Sequence, residues 1–496
     1  MQSIANPFFT ETVELLQAIA SRSNLLRTHI DKVQTDISGL REMSPTEQTG
    51  TVFESKLLDS WQKMQRLILI DQAGLGNDAA AINYLYESLG PDTERLPVAD
   101  EMQQSLARQF LNAPAPCDNP KILHIIAGPG RQVAEYLMQD CSSRQTPVDC
   151  IFVDYEFMTR MIEIADIDGL KLASNYLRDK FAKGRIDKVN YIGAQADTSL
   201  AAREDPKKGE ALRGWITDGF RARAGTEDKF YTLTRIPTPA DAAKDGMDYG
   251  KYVELFFQLC DQPWSHLEAA QEILIRKLDS GNTLRVTNDD GTDVTFDISG
   301  FTFANSVTAK NIPGSEVFSA PNINGTNGVI VAKGNFTYDG KYMQHITLRF
   351  ADGIVTEARA EVGDEHLQEI LKRPGANRIG EVAFGTNPWL RQHVINGLLV
   401  EKIGGSFHAA LGASYKYTQY MGVPVKLDNG SVSKVHWDIT TMLLGKGGRV
   451  SLDGELIQKD GLWTDPALAV LNLGWKALPA DEIPPRWQRI FSERAK

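Results

Sequence analysis

No run of about 18 apolar residues occurs anywhere in the 496-residue chain, so no segment is built to cross a bilayer as a helix. Cysteine is scarce. Cys117, Cys141, Cys150 and Cys260 form no CxxC pair, which removes the zinc-ribbon and thioredoxin motifs and, at this length, a disulfide scaffold. Positive charge is in deficit: 53 Lys and Arg face 64 Asp and Glu, a net charge of −11. That balance argues against a general nucleic-acid binder and against binding to anionic membranes. The opening MQSIANPFFTETVELLQ lacks a basic stretch followed by an apolar one, so no signal peptide is expected and the cytoplasm is the expected location. There is no internal repeat and no low-complexity run.

What is present is ordinary globular composition, 42% hydrophobic and 24% charged, enough for a core of normal size. At about 100–200 residues per domain, the length predicts two to four domains. Residues 1–115 read as a helical extension. Ile19, Leu26, Val33 and Leu40 recur every seventh position, and Leu16, Ile30 and Ile37 interleave. The pattern suits a dimerisation arm or lid, or an amphipathic helix packed on its own domain. NAPAPCDNP (112–120) is a Pro-rich break. From 120 to 265, strands KILHII, DCIFVD and KVNYIG alternate with helices, which predicts a parallel sheet with helices on its faces. The turn AGPGR (127–131) follows the first strand; it suits either a phosphate or nucleoside cradle or a tight turn that uses Gly for geometry alone.

After a helix over 266–282 the texture changes. TLRVTN, DVTFDI, GVIVAK, ITLRFA and GIVTEARAEV are short strands separated by DDG, NGTNG, YDG and ADG turns. Residues 266–463 are therefore expected to form an α+β domain with a largely antiparallel, curved or barrel-like sheet, followed by a tail over 464–496 with a short final helix.

Six of the eight histidines (His29, His124, His266, His345, His366 and His393) have no ligand-type neighbours. His408 and His436 differ. In HWD, His436 and Asp438 are two apart, so a strand would aim both into one cavity. His408 follows Glu401 across a GG turn and precedes Tyr415. Glu316 in NIPGSEVFSAP and Glu381 in GEVAFGTNP lie beside turn residues, where a loop would present them. Taken together, three glutamates, two histidines and an aspartate supply mixed N/O donors for divalent ions such as zinc, cobalt or manganese.

The four blocks NIPGSEVFSAP, GEVAFGTNP, NGLLVEKIGGSFHAALGASY and NGSVSKVHWD, in that order, resemble the metallo-aminopeptidases of the aminopeptidase T and aminopeptidase S family. TRIPTPADAAKDGMDYGKYVELFF resembles the family's linker and hinge helix, and KVNYIGAQADTSL a strand of its N-terminal domain. Residues 1–115 and the last thirty or so have no counterpart. Val400 stands where relatives often carry Asp. The resemblance implies that Glu316, Glu381, Glu401, His408, His436 and Asp438 hold two divalent metal ions, that Tyr415 lies near them, and that the protein is a homodimer.

The implied activity is hydrolysis of the N-terminal peptide bond of a peptide or amide substrate by a metal-activated water. Glu381 is the first choice for the general base and Glu401 the second, with Tyr415 donating to the developing oxyanion. Two rival readings stand beside this one. A mononuclear iron ring-cleaving dioxygenase would use only His408, His436 and Asp438. A specialised amide hydrolase of a single metabolite would carry the same site.

Overall fold

The computed structural model describes residues 6–44, 47–48, 50–87, 89, 95–194, 203–224 and 230–494. The chain forms two compact units, one of residues 1–243 and 247–257, the other of residues 244–246 and 258–496. Among the described residues no helix is long and apolar enough to cross a membrane.

In the first unit the expected parallel sheet is present, with a fourth strand not foreseen. The strands β1 (Ile122–Ala127), β2 (Val148–Val153), β3 (Lys188–Ala194) and β4 (Phe230–Ile236) are ordered β2-β1-β3-β4 and all parallel. The fourth strand, FYTLTRI, alternates half-exposed and buried residues, a weaker signal than the continuous apolar runs of β1 and β2. The glycines of the turn after β1 have structural reasons. Gly128 has a left-handed φ of +48°, and a Cβ on Gly130 would lie 2.2 Å from the Ile192 carbonyl oxygen.

The N-terminal helices belong to this same unit. The expected heptad stretch is split at Ser23 into α1 (Pro7–Arg22) and α2 (Asn24–Glu42), because the Ser23 side chain caps α2 by accepting from the Leu26 amide. Leu16, Ile19, Leu26, Ile30, Val33, Ile37 and Leu40 are all buried. The seam therefore faces its own unit, as the amphipathic alternative required. The next helix, α3 (Thr51–Gln72), seals the edge of the sheet: Gln65 donates to the Phe152 carbonyl at 2.7 Å and accepts from the Phe152 amide at 2.9 Å. The buried Lys188 ammonium donates to the carbonyls of Phe110 and Ala113, both at 2.7 Å. Those carbonyls close helix α4 (Asp100–Asn112), where a cation also suits the helix dipole.

The second unit holds the expected antiparallel strands in two large sheets and a small ribbon. The larger has eight strands in the order β11-β10-β9-β6-β5-β17-β18-β19. These are β5 (Thr283–Thr287), β6 (Asp293–Asp297), β9 (Thr326–Tyr338), β10 (Lys341–Ala351), β11 (Ile354–Val362), β17 (Arg449–Leu452), β18 (Glu455–Lys459) and β19 (Leu462–Trp463). The smaller has five, ordered β16-β13-β12-β8-β7: β7 (Ala304–Ser306), β8 (Glu316–Ser319), β12 (Ile379–Gly385), β13 (Ser406–Gly412) and β16 (His436–Met442). A two-stranded ribbon, β14 (Gln419–Tyr420) and β15 (Val423–Pro424), completes the set.

One face of the five-stranded sheet supplies Val317, Val382, Phe384, Phe407, Ala409, Leu411, Trp437 and Ile439 to the same core as Val286, Phe296 and Leu348 of the larger sheet. Each such side chain, fully buried, contributes roughly 1.5–3 kcal/mol. The C-terminal segment is anchored to this unit: Trp487 is fully buried and donates to Asp261 at 2.9 Å, and Arg486 pairs with the same carboxylate.

His124, on β1, is a core histidine. It is fully buried, its Nε2 lies 4.0 Å from Cys141 Sγ, and burial followed by the nearby Lys188 charge lowers its pKa from 6.5 to about 3. Between those values the unfolded chain binds the extra proton. Stability from this residue is therefore complete above pH 6.5 and is lost as pH falls towards 3, by on the order of 5 kcal/mol. The urea midpoint of the wild type should fall further between pH 7 and pH 4.5 than that of His124→Leu; equal falls would contradict this assignment.

Candidate metal centre

The other face of the five-stranded sheet carries the polar residues. Alternate residues of a strand share a face, and paired residues on neighbouring strands share it too. Asp438 pairs with Ala410, Ala410 with Glu381, His436 with Gly412, His408 with both Thr440 and Ala383, and Glu316 with Gly385. Glu316, Glu381, His408, His436 and Asp438 thus all project from one face. Their cross-strand partners at 383, 385, 410 and 412 are Ala or Gly, which leaves room between them.

Glu316 and Glu381 are strand residues, not loop residues as the flanking turns suggested. Glu316 opens β8 and Glu381 lies inside β12. The reason is that GEVAFG alternates small or polar residues with Val382 and Phe384, whose burial on the opposite face outweighs the local turn preference. The start of β8 is fixed by buried hydroxyls: Ser315 Oγ lies 2.9 Å from Thr386 Oγ1, which also accepts from Gln271 at 2.8 Å.

Glu401 arrives from a different element, the 3-10 turn Val400–Lys402. The Asn387 amide donates to the Lys402 carbonyl at 2.9 Å, and the Gly404 amide to the Asn387 carbonyl at 3.0 Å. Gly385 permits this docking, since a Cβ there would lie 2.3 Å from the Ile403 carbonyl oxygen. The GTNP and EKIGG blocks are therefore complementary parts of one clamp.

The resulting geometry is tight. His436 Nε2 is 3.2 Å from Glu381 Oε2 and 3.9 Å from Asp438 Oδ2. His408 Nε2 is 3.6 Å from Glu316 Oε2, 3.8 Å from Glu381 Oε1 and 3.9 Å from Asp438 Oδ1. These donors fall into two groups, Glu316 with Glu381 and His408, and Glu381 with His436 and Asp438, so Glu381 is common to both. Two ligands about 2.1 Å from one ion at a tetrahedral angle lie roughly 3.4 Å apart, close to these separations.

Both ring nitrogens of His408, Glu381 Oε2 and Asp438 Oδ1 are buried without a hydrogen-bond partner. Buried polar atoms rarely go unsatisfied, and cations at the two donor groups would satisfy His408 Nε2, which faces the carboxylates, together with Glu381 Oε2 and Asp438 Oδ1. His436 Nδ1 lies 2.8 Å from the Ala413 carbonyl, which can only accept. Nδ1 therefore carries a proton, which leaves Nε2, facing Glu381 at 3.2 Å, as the nitrogen open to a metal, the orientation that metal-binding histidines take. The residues fit a divalent-metal site.

Electrostatics give the same picture. Burial opposes ionisation of Glu381, but the His408 and His436 imidazoles bring it down to about 2. Burial opposes protonation of the two histidines, yet the surrounding carboxylates raise His408 to about 9 and His436 to about 10. Burial and then Glu401 push Asp438 up to about 7. Left with protons alone, so many carboxylates draw them onto the imidazoles; a dication would displace them.

Tyr415 lies with its hydroxyl 3.4 Å from His436 Nε2. Burial, reinforced by the carboxylates, lifts its pKa well above 10, so it remains an O–H donor. It stacks on Tyr417 and meets Phe318 edge-on, part of an apolar wall that includes Ala304, Ala383, Tyr420 and Leu427.

One residue of this site escaped the sequence reading. Lys402 is fully buried, its ammonium 2.6 Å from Glu316 Oε1 and 2.8 Å from Glu401 Oε2. The only signal was its position directly after Glu401. A lysine in a short turn ordinarily points to water.

The sequence profile of the thermophilic metalloprotease family (M29) matches residues 131–463, about two-thirds of the chain, and the chain belongs to that family. Among its relatives, aminopeptidase 2 of Geobacillus stearothermophilus is 36% identical over 134 residues, 26% of this chain and 30% of that protein. Aminopeptidase T of Thermus thermophilus is 31% identical over 134 residues, covering 26% and 33%. Aminopeptidase AmpS of Bacillus subtilis is 28% identical over 167 residues, covering 31% and 40%. The match thus spans less than half the length of these relatives. The structure of wild-type AmpT from Thermus thermophilus superposes with a TM-score of 0.59 at 19% identity, over 74% of this chain and 99% of that one, so the two share a fold.

A cation that binds the folded site alone stabilises the fold. At a thousandfold excess over its dissociation constant, zinc should contribute about 4 kcal/mol, roughly 10 °C of melting temperature. Chelated protein should show this rise on zinc addition by calorimetry, and His436→Ala should lose most of it. An unchanged rise in His436→Ala would remove that residue from the ligand set.

Proposed function

We propose that the protein is a metal-dependent aminopeptidase that hydrolyses the N-terminal peptide bond of peptides, using two divalent ions held by Glu316, Glu381, His408, His436 and Asp438. The observation that carries this reading is the shared position of Glu381: its two carboxylate oxygens approach His408 and His436 from one buried point between the two donor groups. Family membership and the names of the relatives support the same class of chemistry. The single-iron dioxygenase reading uses only His408, His436 and Asp438, and leaves Glu381, which lies nearest His436, without a task.

Ions held by Glu316, Glu381, His408, His436 and Asp438 would supply polarisation of the scissile carbonyl and a water of near-neutral pKa. The protein's own groups do the rest. Glu401 is our choice for the general base, taking the water's proton and passing it to the leaving amine. Sequence alone ranked Glu381 first, but Glu381 is common to both donor groups and Glu401 belongs to neither. Its carboxylate is also the more accessible of the two, 20% against 3% exposed. The protonated Tyr415 hydroxyl donates to the oxyanion that develops as water adds. The tyrosine and phenylalanine wall suits an apolar side chain on the terminal residue.

Two substitutions separate the glutamates. Glu401→Gln should keep its zinc and lose roughly 100-fold or more in kcat on aminoacyl amides and short peptides. Glu381→Gln should lose zinc as well, measured by elemental analysis after dialysis. Metal retained in Glu381→Gln with turnover lost, and full activity in Glu401→Gln, would reverse the two roles. Tyr415→Phe should lower kcat by roughly 100-fold with metal content unchanged; normal kcat would remove Tyr415 from the reaction.

A further inference from the structure

Lys402 is a permanent cation inside a site built for cations. Its side chain is 1% exposed, it cannot reach water, and its ammonium is held between Glu316 and Glu401 at 2.6 and 2.8 Å. Two carboxylates at those distances keep it charged. Glu316 is thereby divided. One oxygen is committed to the ammonium, and the other faces His408 at 3.6 Å. Among the described residues, no Lys or Arg ion pair is present at any member of the second donor group, Glu381 with His436 and Asp438.

Charge balance gives this asymmetry a consequence. Glu316, Glu381, Glu401 and Asp438 bring four negative charges, and Lys402 cancels one. A single dication then leaves the cluster one short of neutral on the negative side, and a second carries it past neutrality. The cost of that second charge falls mainly on the position next to the ammonium, where like charges face each other across one carboxylate in a buried setting.

We propose that Lys402 makes the two cation positions unequal. The ion held by Glu381, His436 and Asp438 binds first. The ion held by Glu316, Glu381 and His408 binds second and roughly tenfold or more weakly, because the ammonium already supplies part of its charge. Lys402 is thus a positioning residue that sets metal occupancy, and the second ion becomes an exchangeable one. This inference rests on the two-ion reading above.

The test is zinc titration of the full-length, chelator-stripped protein, by calorimetry and by equilibrium dialysis with elemental analysis. The wild type should bind one zinc tightly and a second roughly tenfold or more weakly. Lys402→Gln, which keeps hydrogen-bond donors and removes the charge, should close that gap, whereas Lys402→Arg should preserve it. Circular dichroism melts with and without zinc check that each variant is folded. If Lys402→Gln does not fold, the wild-type titration still decides. Two zinc ions of equal affinity in the wild type would overturn the lysine proposal and leave the two-ion reading standing. An undiminished gap in folded Lys402→Gln would do the same. No zinc binding by the wild type would overturn both.

Discussion

The structure of the second unit turns on the mutual repulsion of carboxylates gathered on one face of a five-stranded antiparallel sheet. Glu316, Glu381 and Asp438 share one largely buried face with His408 and His436, and Glu401 is brought to its rim. Such a gathering is unfavourable unless positive charge enters it. The protein supplies one such charge itself, through Lys402. The remainder must be protons or metal, and the same carboxylates raise the pKa values of His408 and His436.

The opposite face of the same sheet explains how the fold tolerates this. Val382, Phe384, Phe407, Leu411 and Ile439 alternate with the site residues and are buried in the main core of the unit. A one-residue slip of β12 or β13 would exchange the two sets, placing carboxylates in the core and aliphatic groups at the site. Register is therefore fixed by the apolar face, and the chemical face inherits its precision. The small residues Ala383, Gly385, Ala410 and Gly412 leave space around the donors on the chemical face, and Gly385 also admits the turn that carries Glu401.

Much of this was legible in the sequence, though unevenly. HWD declared its geometry through strand periodicity, and the four ordered blocks carried the family resemblance. The parallel sheet of the first unit was readable from the apolar runs that became β1 and β2, while β4 was missed because its residues are only half buried. The heptad-like positions of α1 and α2 were recognisable, but not the break at Ser23, which depends on a single capping hydroxyl. Glu316 and Glu381 looked like loop residues because turn-forming neighbours are local and visible, whereas the cross-strand pairing that holds them is not. Lys402 was unreadable for a related reason: its burial depends on Glu316, far away in the chain, and on the backbone clamp made with Asn387.

Binding of divalent cations by the donors around Glu381 underlies every role proposed for this face. Anomalous diffraction from a zinc-soaked crystal, recorded on both sides of the zinc absorption edge, tests it most directly. Two peaks should flank the Glu381 carboxylate, the stronger beside His436 and Asp438 and the weaker beside His408 and Glu316. Zinc bound elsewhere on the molecule, with no peak within bonding distance of Glu381, would contradict it.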